Sequence, residues 1–319
     1  MAARHLVVAG AAATQFTVIG LLFSFGVLFP ALEAEFGWSR TLLSSSTSLA
    51  FLVMGLLASL MGRLADRHGP RPVLALAGLT FAAGYAAMSQ ISLPWHLPAI
   101  FAVFIGVGLA SHDVVTLSTV ARWFEARRGV MTGLVKTGTA AGQVAIPPTA
   151  ALLIVTLGWR DTVLILGAAA AGVILLAALA MSRPPARRTA SGALAGPAPG
   201  VPLSEARRDR AFWTICAIQF LFFPTLITVP VHIVVHGRDL GLDAATAAML
   251  LSVSGAASVL GRLTIGGMID RIGGRRAYMV CFTPLIAALI AMALIRTPEP
   301  LFLAVAVYGD SPCPRRLVI

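Results

Sequence analysis

Three charged side chains stand inside otherwise apolar runs: Asp113 in LASHDVVTLSTVARWF, Lys136 in RRGVMTGLVKTGTAAGQ and Arg262 in SVLGRLTIGGMID. Asp113 lies nine residues before Arg122, Lys136 eight after Arg128, and Arg262 eight before Asp270. At 1.5 Å per helical residue, each is about 12–14 Å from the charged segment bounding its run. A Lys, Arg or Asp at the centre of a bilayer costs roughly 2.5–3.5 kcal/mol, so it usually marks a solute pathway or a pair. Two cations with one carboxylate leave a net positive charge, and the ligand suited to that is an organic anion. A carboxylate gripped by the fork of an arginine is the natural form. Asp113 and Lys136 lie on consecutive runs, so a hairpin brings them together. At about 4 Å and an effective dielectric of about 20, their attraction is near 4 kcal/mol before desolvation. A structural ion pair and a working one fit that spacing equally well. Gln15, Gln143 and Gln219 are candidates to line the same cavity, and each is equally able to bond a neighbouring helix.

The elements that position these groups follow from composition. Hydrophobic residues make up 58% of the 319 and charged ones 12%, with a mean hydropathy of +0.87. A soluble domain carries roughly 25% charged residues, so this chain could not cover its own surface in water. Its apolar runs approach the ~20 residues that span a bilayer, and they do not alternate as strands would. Helices are expected at 6–30, 41–61, 73–90, 98–121, 129–157, 162–181, 211–235, 243–268 and 277–295, with a further start near 300. The fold class is all-α and polytopic. Arg4 precedes an apolar run that continues to Pro30, well past the ~7–15 residues of a signal-peptide core, so that run reads as a retained helix. Cys216, Cys281 and Cys313 are scattered and suggest neither a disulfide framework nor a metal site. No nucleophile–base constellation stands out, so no enzyme, cofactor or metal is implied.

Arginine placement sets the expected orientation. With an inside N-terminus, the inside segments hold Arg4, Arg63, Arg67, Arg71, Arg122, Arg127, Arg128, Arg183, Arg187, Arg188, Arg207, Arg208, Arg210, Arg271, Arg275, Arg276, Arg315 and Arg316. The outside segments hold Arg40, Arg160, Arg238 and Arg296, which makes eighteen against four. The net charge of +11 is then topology plus attraction to anionic lipid. Because the cations are dispersed over separate short segments, they do not form a nucleic-acid surface. Abundant arginine and alanine with a single lysine fits a GC-rich bacterial gene, hence a plasma membrane.

The stretch GRLADRHGPR between the second and third runs recurs. Gly62, Asp66, Arg67, Gly69 and Arg71 reappear as Gly266, Asp270, Arg271, Gly273 and Arg275, a shift of 204 residues. Both copies fall on the inside, so the halves are parallel repeats. Residues 183–210 form a Pro/Ala/Gly-rich linker between a six-helix unit at 1–182 and a second unit at 211–319. The repeated segment resembles the inside loop of the major facilitator superfamily, and the duplicated six-helix plan is similar to its architecture. The resemblance implies alternating access, with Asp66 and its counterpart taking hydrogen bonds from a helix N-terminus or an arginine to hold the inside closed. EFGWSR (Glu35–Arg40) and RWFEARRGVMTG (Arg122–Gly133) resemble signatures of the monocarboxylate and oxalate/formate branch. That branch implies an Asp–Arg pair on helix eight; Arg262 before Gly266 matches the Arg, but Ser258 stands at the Asp position. Proton coupling is then left to Asp113 or His112.

A full second repeat needs about 400 residues and twelve helices, whereas Ile319 corresponds to position 115. A chain shortened within its tenth helix is therefore expected, since AVYGDSPCPRRLVI loses apolar character after Tyr308. The sequence thus points to a secondary transporter of a small carboxylate, with a proton as the candidate co-substrate. Substrate-binding candidates are Lys136, Arg262, Asp113, His112 and Gln143. The alternatives are efflux of hydrophobic compounds, or an inactive fragment or membrane sensor.

Overall fold

A backbone inside hydrocarbon must satisfy its own hydrogen bonds, and every long element among the described residues does so as a helix. The computed structural model describes residues 2–124, 127–184, 203–272 and 274–309. Six long helices come first: α1 (Ala2–Phe36), α2 (Arg40–His68), α3 (Pro70–Ser89), α4 (His96–Trp123), α5 (Arg128–Leu157) and α6 (Trp159–Ala180). A single turn at Leu203–Ala206 precedes α7 (Arg210–Asp239), α8 (Ala244–Ile272), α9 (Gly274–Leu294) and α10 (Glu299–Gly309). Among the described residues, seven segments are long and apolar enough to cross a membrane: α1 from Arg4, α2 to α6, and α9 from Arg276. The chain divides into two compact units, Met1–Pro184 and Pro185–Ile319.

Helix ends depart from the sequence expectation in an instructive way. Helix two, expected to stop at 61, runs on to His68, so most of GRLADRHGPR is helical. Arg63, Leu64, Ala65 and Arg67 are good helix formers, and charge marks the end of the hydrocarbon, not the end of the helix. Only Gly69 separates α2 from α3; its φ of 95° and ψ of 168° belong to a region open essentially to glycine alone. Pro70 then opens α3, where its missing N–H costs nothing. Within α4, one π-helical turn at Phe101–Ile105 interrupts the regular ladder. The extra residue rotates everything after it by about 100° relative to an unbroken helix.

Inside the first unit, α1 packs along α5 and α6, α3 against α6, and α2 against α4. Two apolar clusters form. One, around Phe25, Tyr85, Met88, Phe101 and Trp159, lies toward the Glu35 end. The other, around Val8, Met61, Leu74, Val120 and Met181, lies toward the Asp66 end. At the Glu35 end, Trp159 donates to Glu35 at 2.6 Å, Arg160 pairs with the same carboxylate, and Ser39 caps α2. In the second unit, Ile233, Leu250, Ala288, Met292, Leu301 and Val305 form a separate core.

Glycines let α1 and α5 approach closely. A methyl on Gly138 or Gly142 would stand well inside van der Waals contact distance of the Ala12 or Phe16 carbonyl oxygen respectively. This is the small-residue contact that GLVKTGTAAGQ suggests: lipid leaves no hydrophobic force between helices, and the van der Waals packing of close backbones holds them together. Replacing Gly142 by Val should therefore lower stability by about 1–3 kcal/mol, the usual cost of overpacking. Gly172 on α6 faces open space, so Gly172→Ala should be near neutral. Thermal unfolding of both variants in detergent, read by size-exclusion chromatography, checks the contrast; equal melting points would contradict the packing.

Candidate functional site

The side chain that the close helix pair traps is Gln15, fully buried on α1. Its Nε2 donates to Asp113 Oδ1 at 2.7 Å, to Thr116 Oγ1 at 3.0 Å and, at 3.4 Å, to the His112 carbonyl. Its Oε1 accepts from Lys136 Nζ at 3.2 Å and Thr139 Oγ1 at 3.0 Å. Lys136 and Asp113 are also directly ion-paired. One amide thus bridges three helices and touches both partners of the pair. Its two ends match the two charges: N–H against the carboxylate, carbonyl oxygen against the ammonium.

The pair is only partly withdrawn from solvent, with 18% of the Lys136 side chain and 25% of that of Asp113 exposed. Beneath it, His112 is buried, and its Nδ1 lies 2.6 Å from the Leu109 carbonyl oxygen. A carbonyl only accepts, so Nδ1 carries the proton. Nε2 then stands 3.7 Å from Asp113 Oδ1. A second proton on the ring would turn that approach into an ion pair. Acid, ammonium and imidazole therefore share one polar pocket between the two apolar clusters: on α1, Ala11 belongs to one cluster and Val18 to the other.

The hairpin expected of helices four and five does bring Asp113 and Lys136 together, and His112 joins them. Gln143, seven residues beyond Lys136 on α5, is half-buried, and no hydrogen bond joins it to the network among the described residues. Arg262, Gly266 and Asp270 fall on α8 and Arg275 on α9, but their side chains, like all of Gly273, lie outside what the structure describes. Gln15 was one of three equivalent glutamines in the sequence; Thr116 and Thr139 were not singled out. A signal was present, since each threonine falls three residues after a charged partner, one helical turn along the same face.

At the Asp66 end, the acid is held by an arginine: Arg122 at the end of α4 pairs with it. Arg183 donates to the carbonyls of Asp66 and Ala65. Arg71 Nε donates to the Met181 carbonyl at 3.1 Å, and Trp123 Nε1 to that of Ser182 at 2.7 Å. Gly62 faces Val114 closely, which lets α2 lie against α4, while Arg67 and Arg271 are exposed. Both side chains of the Arg122–Asp66 pair are at least half exposed, so its worth is about 0–1 kcal/mol.

The central pair should behave differently from that exposed one. Lys136→Met leaves a carboxylate without its ammonium, a loss of about 3 kcal/mol at the low end for buried pairs. Asp113→Asn together with Lys136→Met removes both charges and should recover most of it. A double-mutant cycle of melting temperatures tests this; additive losses would show that the pair is uncoupled.

Residues 11–309 match the Major Facilitator Superfamily. The chain is 28% identical to monocarboxylate transporter 13 of Bos taurus over 294 residues, covering 92% of this chain and 68% of that protein. It is 31% identical to monocarboxylate transporter 11 of Homo sapiens over 272 residues, covering 83% of this chain and 56% of that protein. The chain thus spans between about half and two thirds of these relatives' length. Its backbone is similar to that of the proton:xylose symporter XylE bound to 6-bromo-6-deoxy-D-glucose, with a TM-score of 0.64 at 12% identity, over 97% of this chain and 78% of that one. The inward-open xylose transporter XylE from E. coli aligns with a TM-score of 0.56 at 13% identity, over 97% of this chain and 79% of that one. Helical throughout its described elements, with a partly buried charged network inside the first unit, this multi-pass membrane chain belongs to the Major Facilitator Superfamily of transporters.

Proposed function

We propose that the protein is a secondary transporter of a small carboxylate, working by alternating access, with Lys136 as the cation that receives the solute. The observation carrying this reading is the Asp113–Lys136 pair, partly solvated at mid-helix and braced by Gln15. Its resident carboxylate already occupies the position a solute carboxylate would take. Exchange of one for the other keeps the ammonium paired throughout, avoiding the several kcal/mol that an unpaired buried charge costs. Once displaced, Asp113 is neutralised most simply by a proton, with His112 beside it as the second proton site. Anion and proton then cross together with no net charge left behind. The similarity to proteins named monocarboxylate transporters supports the solute class. Arg262 and Gln143 are further candidates to contact the solute.

The arginine distribution supports a cytoplasmic N-terminus in a plasma membrane, which makes the Asp66 end cytoplasmic. There Asp66, paired with Arg122, and its counterpart in the sequence repeat, Asp270, are assigned to gating. Gly62 supplies the close approach and Gly69 the tight turn, Gly266 and Gly273 are their counterparts in the sequence repeat, and Arg67, Arg71, Arg271 and Arg275 are the cations.

Two outcomes are expected. Proteoliposomes containing the chain should accumulate labelled L-lactate or pyruvate when an inward proton gradient is imposed. Lys136→Ala should lower uptake at least tenfold, equivalent to about 1.4 kcal/mol, and Asp113→Asn should remove the acceleration by the gradient. Unchanged uptake by Lys136→Ala would rule out the assigned site. Separately, Asp66→Asn should shift the melting temperature little, because an exposed pair is worth about 0–1 kcal/mol, yet slow transport several-fold. A wild-type transport rate in that variant would remove Asp66 from the gate.

A further inference from the structure

Two contiguous cavities lie at the Asp66 end of the first unit, away from the Gln15 network. One, of about 370 Å³, is lined by Arg71, Pro72, Ala75, Leu175, Ala178 and Leu179. The other, of about 300 Å³, is lined by His68 to Pro72 and by Met181, Ser182 and Arg183. They share Arg71 and Pro72, so together they make one groove between the start of α3 and the end of α6. Its chemistry changes along its length. One end is ringed by two guanidinium groups, an imidazole and a hydroxyl; the rest is aliphatic. We propose that this groove binds an anionic phospholipid, with the phosphate at Arg71 and Arg183 and an acyl chain along Ala75, Leu175, Ala178 and Leu179.

Charge complementarity argues for the headgroup. No carboxylate lines either cavity, and Asp66, the nearest acid in sequence, is already paired with Arg122. Arg71 is anchored through Nε to the Met181 carbonyl, which fixes the side chain while its four Nη–H donors are not used in that bond. Arg183 is anchored through Nη2 to the Asp66 and Ala65 carbonyls, and its Nε lies beside Gly69. Two pre-positioned guanidinium forks suit the oxygens of a phosphate. The aliphatic length argues for a lipid over a soluble anion, which would gain nothing from it. Exposed leucines continue the apolar surface on both helices: Leu76 and Leu79 on α3, Leu176 and Leu179 on α6. In a chain with membrane-spanning helices those side chains meet acyl tails, and basic pockets between such helices suit anionic lipid headgroups. A bound lipid would neutralise the two arginines and fasten α3 to α6 beside the Arg122–Asp66 pair. This inference does not depend on which solute is carried.

The test uses the purified chain in neutral detergent, with phosphatidylglycerol and phosphatidylcholine of identical acyl chains, read by native mass spectrometry and by melting temperature. Phosphatidylglycerol should be retained at least tenfold over phosphatidylcholine and should raise the melting temperature. Arg71→Gln with Arg183→Gln should abolish that preference, and Arg71→Lys with Arg183→Lys should keep most of it. Ala75→Trp, at a half-buried position of the aliphatic groove, leaves both arginines and should also abolish retention. Circular dichroism and elution volume confirm that each variant is folded. Equal retention of the two lipids, a preference that survives the double glutamine variant, or the same protection from glycerol phosphate alone would each overturn the proposal.

Discussion

A polar side chain that enters hydrocarbon has to find its partners inside the protein, because lipid offers none. Gln15 meets that demand on three helices at once, and much of the first unit is arranged so that it can. Gly138 and Gly142 draw α5 against α1 until backbone meets backbone on either side of it. That approach brings Lys136 and Thr139 within reach of its carbonyl oxygen, while α4 presents Asp113 and Thr116 to its amino group. Rotating any one helix by a single residue position, about 100°, would leave the amide facing aliphatic side chains with its hydrogen bonds unmade. The network therefore specifies helix register more stringently than the Val, Leu and Phe clusters above and below it, which tolerate volume-conserving exchange.

The same geometry explains why an ion pair is tolerable at this depth. Neither charge stands alone, and Gln15 supplies a dipole of matching sense to each. The remaining exposure of a fifth to a quarter of each side chain keeps the pair in touch with water. A fully dry pair would be held too firmly to exchange one partner, and a fully wet one would have little to offer a solute. Partial burial lies between these limits, where an incoming carboxylate can compete with a resident one.

The helical plan was legible because long unbroken apolar runs admit few other readings. Meeting of Asp113 and Lys136 followed from spacing alone, since consecutive antiparallel helices place equal depths side by side. Gln15 could not be separated from Gln143 by such reasoning. Depth is linear in sequence, but which face a residue presents depends on packing, and the π turn at Phe101–Ile105 breaks the simple period in α4 as well. The segment GRLADRHGPR misled in a different way: its charges read as a loop, yet arginines on an emerging helix satisfy the same need for water. Arg183 looked like one more topology-setting cation and instead holds the carbonyls at the end of α2.

That last contact bears on how the repeated segment operates. Asp66 has its partners, Arg122 on α4 and Arg183 after α6, within its own unit. Together with the Arg71–Met181 and Trp123–Ser182 hydrogen bonds, they tie the ends of α2, α3, α4 and α6 into one rigid edge. Rigid-body rocking needs such an edge, because a motion that must carry a whole bundle is lost if individual helices yield first. It also needs closing contacts weak enough to break, and exposed ion pairs worth about 0–1 kcal/mol meet that condition where buried ones would not. Asp66 on this argument serves the gate by holding the ends of its own helices together, while cations left in solvent, such as Arg67, are available to make and break contacts beyond it.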